Sequence, residues 1–262
     1  MRVILALHKA LRPGIPKVEE EDLKSFQCRF ESDPGHFPFD YGVGMKVLTY
    51  ARATHFGPTV LVTSVGFLLA RTQFGVINSI LIATAIFAGQ CVVGWSNDLV
   101  DYPLDRAAVR AKKPLVAGEL SPRDLQFAIP IALLLAGVLS FTGPLGLKGG
   151  LVHALGVLSA TFYNLKAKRT VLSFLPYFIS FGAMPWAIYL AAGKVPSIWL
   201  TLGFAIFASA FHFLNVLKDL EWDLAQGVNG LPQRLGRSGS LIVALTLISL
   251  GIALVIVKWN QL

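Results

Sequence analysis

The stretch VINSILIATAIFAGQCVVGWSNDLVDYPLD, residues 76–105, decides the fold. From Val76 to Asn97 it carries no charge; aspartates then follow at Asp98, Asp101 and Asp105. An uncharged apolar run of that length is what a helix needs to cross a bilayer, about 17–25 residues. The acids come where such a helix would leave the hydrocarbon. The stretch therefore reads as a membrane span with a charged end.

The rest of the chain has the same character. Of its 262 residues 54% are hydrophobic and 15% charged, against about 25% charged in an ordinary soluble domain. Seven apolar spans are expected, near 46–70, 76–97, 124–142, 149–165, 171–192, 197–218 and 238–258. Lipid offers no partner to backbone N–H and C=O groups, so spans of this length are helices. The expected fold class is all-α: a polytopic transmembrane helical bundle of about seven helices over residues 46–262. Residues 1–45 are expected to form a separate cytoplasmic segment. In it, MRVILALHKALRPG is too short and too interrupted by His8, Lys9 and Arg12 for a secretory signal, and reads as an amphipathic helix on the membrane surface.

Basic residues set the orientation. Arg106, Arg110, Lys112, Lys113 and Arg123 follow span two; Lys166, Lys168 and Arg169 follow span four; Lys218, Arg234 and Arg237 follow span six. The intervening loops hold one base each, Arg71, Lys148 and Lys194. The positive-inside bias makes the rich loops cytoplasmic, and the cell membrane is the expected location. A net charge of +8 is then explained by basic loops beside anionic lipid, with no nucleic-acid partner required. Cys28 and Cys91 offer neither a disulfide framework nor a metal-ligand spacing.

The carboxylates are more selective. Seven of the fifteen lie before residue 41; the others are Asp98, Asp101, Asp105, Glu119 and Asp124 after span two, and Asp219, Glu221 and Asp223 after span six. A carboxylate-coupled pump or cation transporter would place acids in mid-membrane, so the pattern favours chemistry at the cytoplasmic interface. At about 100° per residue, Gln90, Gly94, Asn97, Asp98, Asp101 and Asp105 share one third of a helix, provided the helix survives Pro103. On span six His212, Asn215, Asp219 and Asp223 share a similar stripe if that helix also continues. Two such acid stripes suit Mg²⁺, which prefers carboxylate oxygens and completes its shell with waters and substrate phosphates. Together they would hold Mg²⁺ and, through it, a diphosphate. Arg110, Lys113, Tyr163, Lys166, Lys168 and Arg169 are placed to help, although each base also fits a positive-inside anchor. A diphosphate head above a greasy bundle suits a prenyl diphosphate.

These residues resemble the UbiA superfamily of intramembrane prenyltransferases. Asn97, Asp98, Asp101 and Asp105, followed by Arg110 and KPLVAG (113–118), are similar to its first signature; DLEWDLAQGVNGLPQRLG (219–236) is similar to its second. YNLKAKRT (163–170) looks like its Tyr-plus-basic loop, and Arg52 in YARATHFGP stands where its first helix carries an Arg. The resemblance covers roughly residues 46–257. Departures are Lys113 where Arg is frequent, Asn229-Gly230 where a basic residue and Thr are common, and seven spans where nine are usual.

The resemblance implies Mg²⁺-dependent transfer of a prenyl group from a prenyl diphosphate to an aromatic or lipid-like acceptor. Asp98, Asp101, Asp219 and Asp223 would be its catalytic core. Asn97, Asp98, Asp101 and Asp105 would ligate one metal ion, Asp219 and Asp223 a second. Arg110, Lys113, Lys166, Lys168, Arg169 and Arg52 would meet the diphosphate, Arg52 also fitting a snorkelling anchor. Tyr163 would either hydrogen-bond the leaving group or face the cation. His212 and Asn215, deeper than Asp219, are candidates for an acceptor pocket, although a buried His is commonly just packed. Two rivals are a non-catalytic lipid-binding or transport protein and a CDP-alcohol phosphotransferase, whose D-G-x-x-A-R element is absent.

Overall fold

The computed structural model describes residues 43–108 and 110–258. The expectation of an interfacial helix at the N-terminus, and Cys28 with it, lies outside these residues. Thr49–Leu262 forms one compact unit, and everything that follows concerns it.

Nine α-helices are described: α1 (Val43–Ala53), α2 (Phe56–Arg71), α3 (Val76–Ala107), α4 (Pro122–Thr142), α5 (Gly146–Leu165), α6 (Leu175–Ala191), α7 (Ile198–Val216), the short α8 (Leu220–Ala225) and α9 (Leu231–Lys258). A 3-10 turn, Ala167–Arg169, follows α5. No strand occurs among the described residues. Each of the seven expected spans falls on helix, with two corrections to their course. The first is a pair, α1 and α2, bent by 78° at a break. Span six stops at Val216, short of the acids. By length and apolarity α3, α4, α7 and α9 are able to cross a membrane, and a fifth span arises if the bent pair counts as one. α6 is apolar but only 17 residues long.

The apolar residues explain themselves only in lipid. Phe127 and Leu134 on α4 and Ile256 and Val257 on α9 are 69–74% exposed, an outward band that water would penalise at about 25 cal/mol per Å². Inside, Val62, Leu69, Ile82, Ile86, Leu145 and Ile188 form the main core cluster, joining α2, α3, α5 and α6. Most helices pack on their sequence neighbours, as short connections between antiparallel helices dictate.

Local signals fix the ends that matter. α4 starts with a reciprocal cap, Ser121 Oγ accepting from the Asp124 N–H and the Asp124 carboxylate from the Ser121 N–H, with Pro122 in the first turn. That combination satisfies N–H groups with no intrahelical partner. α3 runs unbroken through Pro103 to Ala107, so the proviso on the first acid stripe is met. The α1–α2 break is at His55, the one non-glycine residue with positive φ (59°) among the described residues. A side chain rarely adopts that conformation without compensation elsewhere.

Gly94 lets this break approach α3. A Cβ there would stand 2.3 Å from the Thr54 carbonyl oxygen and 2.6 Å from its Cα, contacts that backbone cannot yield to cheaply. Gly94→Ala should therefore destabilise the protein by about 1–3 kcal/mol through overpacking. Gly57→Ala, where a Cβ would meet nothing within 4 Å, is the matched control. Thermal midpoints in detergent check this: equal midpoints for the two variants would contradict the close approach.

Candidate functional site

At one end of the bundle three basic loops converge on the two acid clusters, and a cavity of about 920 Å³ opens between them. Asn97 and Asp101 from α3, Asn215 from α7, and Asp219 and Asp223 beyond it all line this cavity, as do Arg110, Lys113, Tyr163 and Lys168. Asn215, Asp219 and Asp223 share the cavity although their helix does not continue. α7 ends at Val216, the chain turns, and α8 restarts with Asp219 as its N-cap residue.

Arg110 joins the clusters. Its guanidinium bonds Asp219 and lies 3.4 Å from Asp105, and it stacks over the Trp222 ring at 4.9 Å. Such a cation over an aromatic face contributes about 0.5–2 kcal/mol. Burial works against the charge on Arg110, but Asp219 and Asp105 outweigh it and its pKa moves up. Lys113 behaves alike: burial is outweighed by Asp98 and Asp105, so its ammonium is held more firmly than usual.

The first acid stripe divides into two groups. Asp98 and Asp105 are buried, 2% and 3% exposed, and do not line the cavity. Asp98 bonds Lys113, and its Oδ1 is 3.1 Å from His55 Nε2; Asp105 lies 3.4 Å from Lys113 as well as from Arg110. Asp101 faces the cavity with Lys168 Nζ at 2.7 Å. Asp98 and Asp105 thus hold the basic loop in place, whereas Asp101 lines the cavity.

Asp223 is set apart. Gln233 donates to it at 2.8 Å. Burial pushes its pKa up, with Asp219 and Asp101 adding to the rise and Lys168 and the Gln233 bond opposing it. That Asp101, from the other cluster, adds to the rise at Asp223 is the electrostatic sign that the two clusters face one another.

Other expected site residues lie elsewhere. Arg52 pairs with Glu119 at 2.7 Å and donates to the Lys112 carbonyl, outside the cavity. Lys166 is exposed, and Arg169, like Lys166, does not line the cavity. His212 is 1% exposed, bonds Ser173 through Nε2 at 3.2 Å, and packs behind Tyr163 and Tyr177 with ring centroids at 5.5 and 4.6 Å. Conversely, the sequence reading missed Gln233, Trp222 and the bonding of His55. His55 stands three residues after Arg52 in YARATHFGP, and its bond to Asp98 spans 43 residues; a single sequence carries no signal for that pairing.

Among the described residues no three His, Cys, Asp or Glu side chains gather closely enough to hold a metal ion by themselves. A substrate-completed Mg²⁺ site needs only one or two carboxylates, with waters and phosphate oxygens filling the octahedral shell. Asp101, Asp219, Asp223 and the Asn97 amide supply oxygen donors of the right kind along one cavity wall and mouth. The residues fit the ion.

A sequence profile of the UbiA prenyltransferase family matches residues 59–262. No curated protein matches the chain. Among solved structures, a UbiA homolog from Aeropyrum pernix K1, in its apo form, is 21% identical with a TM-score of 0.64, covering 84% of this chain and 80% of its own. A UbiA homolog from Archaeoglobus fulgidus bound to GPP and Mg²⁺ is 17% identical, TM-score 0.69, covering 79% and 76%. A structure described as concerning digeranylgeranylglyceryl phosphate synthase in membranes is 21% identical, TM-score 0.60, covering 82% and 78%. At these identities the likeness is one of fold.

Arg110→Met removes the cation between the clusters. It should cost about 1–3 kcal/mol, the range for leaving charged partners uncompensated. Mg²⁺ should then raise the thermal midpoint more in the variant than in the parent, because the acids left behind gain more from a divalent cation. An equal Mg²⁺ response in both would show that Arg110 does not shield the clusters.

Proposed function

We propose that this chain, which belongs to the UbiA prenyltransferase family, is an intramembrane prenyltransferase that releases diphosphate from a prenyl diphosphate and passes the prenyl group to an acceptor in its cavity. The observation that carries this is the Arg110 bridge, which bonds Asp219 while lying beside Asp105, so that acids from α3 and from the α7–α8 turn share one mouth. The two archaeal homolog structures bound to GPP or DMAPP with Mg²⁺ support the same reading.

Asp101, Asp219, Asp223 and Asn97 would hold the ion, with Asp98 behind them. Magnesium, when bound, neutralises diphosphate oxygens and makes them a better leaving group. The chain's own residues do the rest. Arg110, Lys113 and Lys168 each rest against a carboxylate and carry a charge to meet phosphate oxygens once these arrive. They stabilise the negative charge that grows as the C1–O bond breaks. Apolar walls such as Val62, Ile86 and Ile188 shelter the prenyl chain and its electron-poor carbon. The acceptor atom bonds to C1, diphosphate departs, and the acceptor's displaced proton leaves towards the mouth. Tyr163, on the cavity wall, is placed to contact either the leaving group or the cation. By the basic loops the mouth faces the cytoplasm.

Asp101→Asn and Asp219→Asn should each reduce diphosphate release from geranyl diphosphate by at least about a hundredfold, in keeping with loss of electrostatic stabilisation, and leave the protein folded. Near-parental turnover in both would remove the acid clamp, and binding without release by the parent would favour a lipid carrier. The acid limb of activity is expected from Asp223. Its raised pKa keeps it protonated, and a poorer donor, to higher pH than an ordinary carboxylate. Gln233→Leu removes a bond that favours the charged form, so the limb should move to still higher pH. A limb that stays or moves down in pH–rate profiles would exclude Asp223 as its source.

A further inference from the structure

The acidic mouth uses only one end of the cavity. Deeper, the walls are mainly apolar, but Gln90 on α3 and His153 on α5 face into it. Gln90 precedes Asp101 by eleven residues and His153 precedes Tyr163 by ten, so both lie about 15 Å from the mouth along their helices at 1.5 Å per residue. Both line the same cavity, and His153 Nε2 reaches α3 beside Gln90, 3.2 Å from where a Cβ on the preceding Gly89 would stand. Among the described residues neither the Gln90 amide nor His153 Nε2 has a hydrogen-bond partner in the protein. Polar side chains at such depth mark function unless they are satisfied, and a few convergent polar groups in an apolar pocket fix a ligand's orientation.

The bonding of Ser140 decides what His153 offers. Ser140 Oγ lies 2.6 Å from the Ala136 carbonyl oxygen and 2.8 Å from His153 Nδ1. Two oxygens that close need a proton between them, and a carbonyl has none to give. The single hydroxyl proton therefore goes to Ala136, and Ser140 can only accept from His153. Nδ1 carries the ring proton, and a neutral imidazole then has a bare Nε2. Into the cavity His153 presents an acceptor; the Gln90 amide beside it presents a donor as well.

We infer that Gln90 and His153 form a recognition site for an uncharged hydroxyl group of the acceptor, the hydroxyl donating to His153 Nε2 and accepting from the Gln90 amide. This deepens the reading above, in which the acidic mouth takes the prenyl donor. A carboxylate, ketone or ether in that place has no proton for Nε2, so the pair selects hydroxyl-bearing acceptors over their oxidised or capped analogues. A site built to bond a hydroxyl discriminates against the analogue that lacks it because its own polar group is left unpaired.

The test uses the full chain in detergent and two probes, 1,5-dihydroxynaphthalene and its fully capped ether 1,5-dimethoxynaphthalene, titrated calorimetrically alongside geranyl diphosphate with Mg²⁺. The parent should bind the diol about tenfold tighter than the ether, the worth of one buried hydrogen bond. His153→Phe and Gln90→Leu should each bring that ratio close to one. Ser140→Ala should also lower the ratio, because the ring proton is then free to move to Nε2 and donate to the ether; a packing role for Ser140 would not do this. Should His153→Phe fail to fold, Gln90→Leu and Ser140→Ala decide. A parental ratio near one, or a ratio that survives in the folded variants, overturns the inference. If the diol preference behaves as expected but geranyl diphosphate does not bind, the hydroxyl site stands and the donor reading falls.

Discussion

Carboxylates at the end of a lipid-embedded bundle must be neutralised by something, and the placement of that positive charge organises this protein. Asp98 and Asp105 are buried and spend their charge on Lys113, His55 and Arg110. Those pairings anchor the loop after α3, and the anchored loop carries Arg110 across to Asp219. Truncating one partner of a buried pair strands the other in a low dielectric, so the arrangement holds together as a set. What remains at the mouth is Asp101, Asp219 and Asp223 facing a shared space, each touched by a group that a phosphate could engage instead.

The two acid clusters are built by opposite devices. α3 stays helical beyond the apolar zone and through a proline, which delivers Asp98, Asp101 and Asp105 on a rigid rod. α7 stops, and a turn followed by a six-residue helix delivers Asp219 and Asp223. The short element also brings Trp222 beneath Arg110 and lets Gln233, at the start of α9, reach Asp223. A rod opposite an adjustable turn suits a site whose occupant has to enter, react and leave.

Much of this was legible in the sequence. The apolar runs located a helix at each of the seven expected positions, four or five of them long and apolar enough to cross a membrane, and the confinement of acids to two loops pointed to the mouth. Fine placement was not legible. Helical spacing grouped Asp98 and Asp105 with Asp101, but which of them lines the cavity depends on Lys113 and His55, residues distant in sequence. The stripe from His212 to Asp223 assumed a helix that ends at Val216; Asn215 and the acids still reach the cavity because the turn wraps back, whereas His212 packs behind Tyr163 and Tyr177. The break at His55 and the role of Gly94 rest on a close approach of two backbones, which no local pattern announces.

α9 carries one more consequence. Its backbone kinks at Gly236, with φ 68° and ψ −175°, yet Ser240 beyond the kink donates to the Pro232 carbonyl before it at 2.8 Å. The lipid-facing shaft is thus strapped to the same turn that holds Gln233. Helices adapt to bilayer thickness by tilting, and the strap across Gly236 makes the lipid-facing shaft and the turn that carries Gln233 one hydrogen-bonded piece.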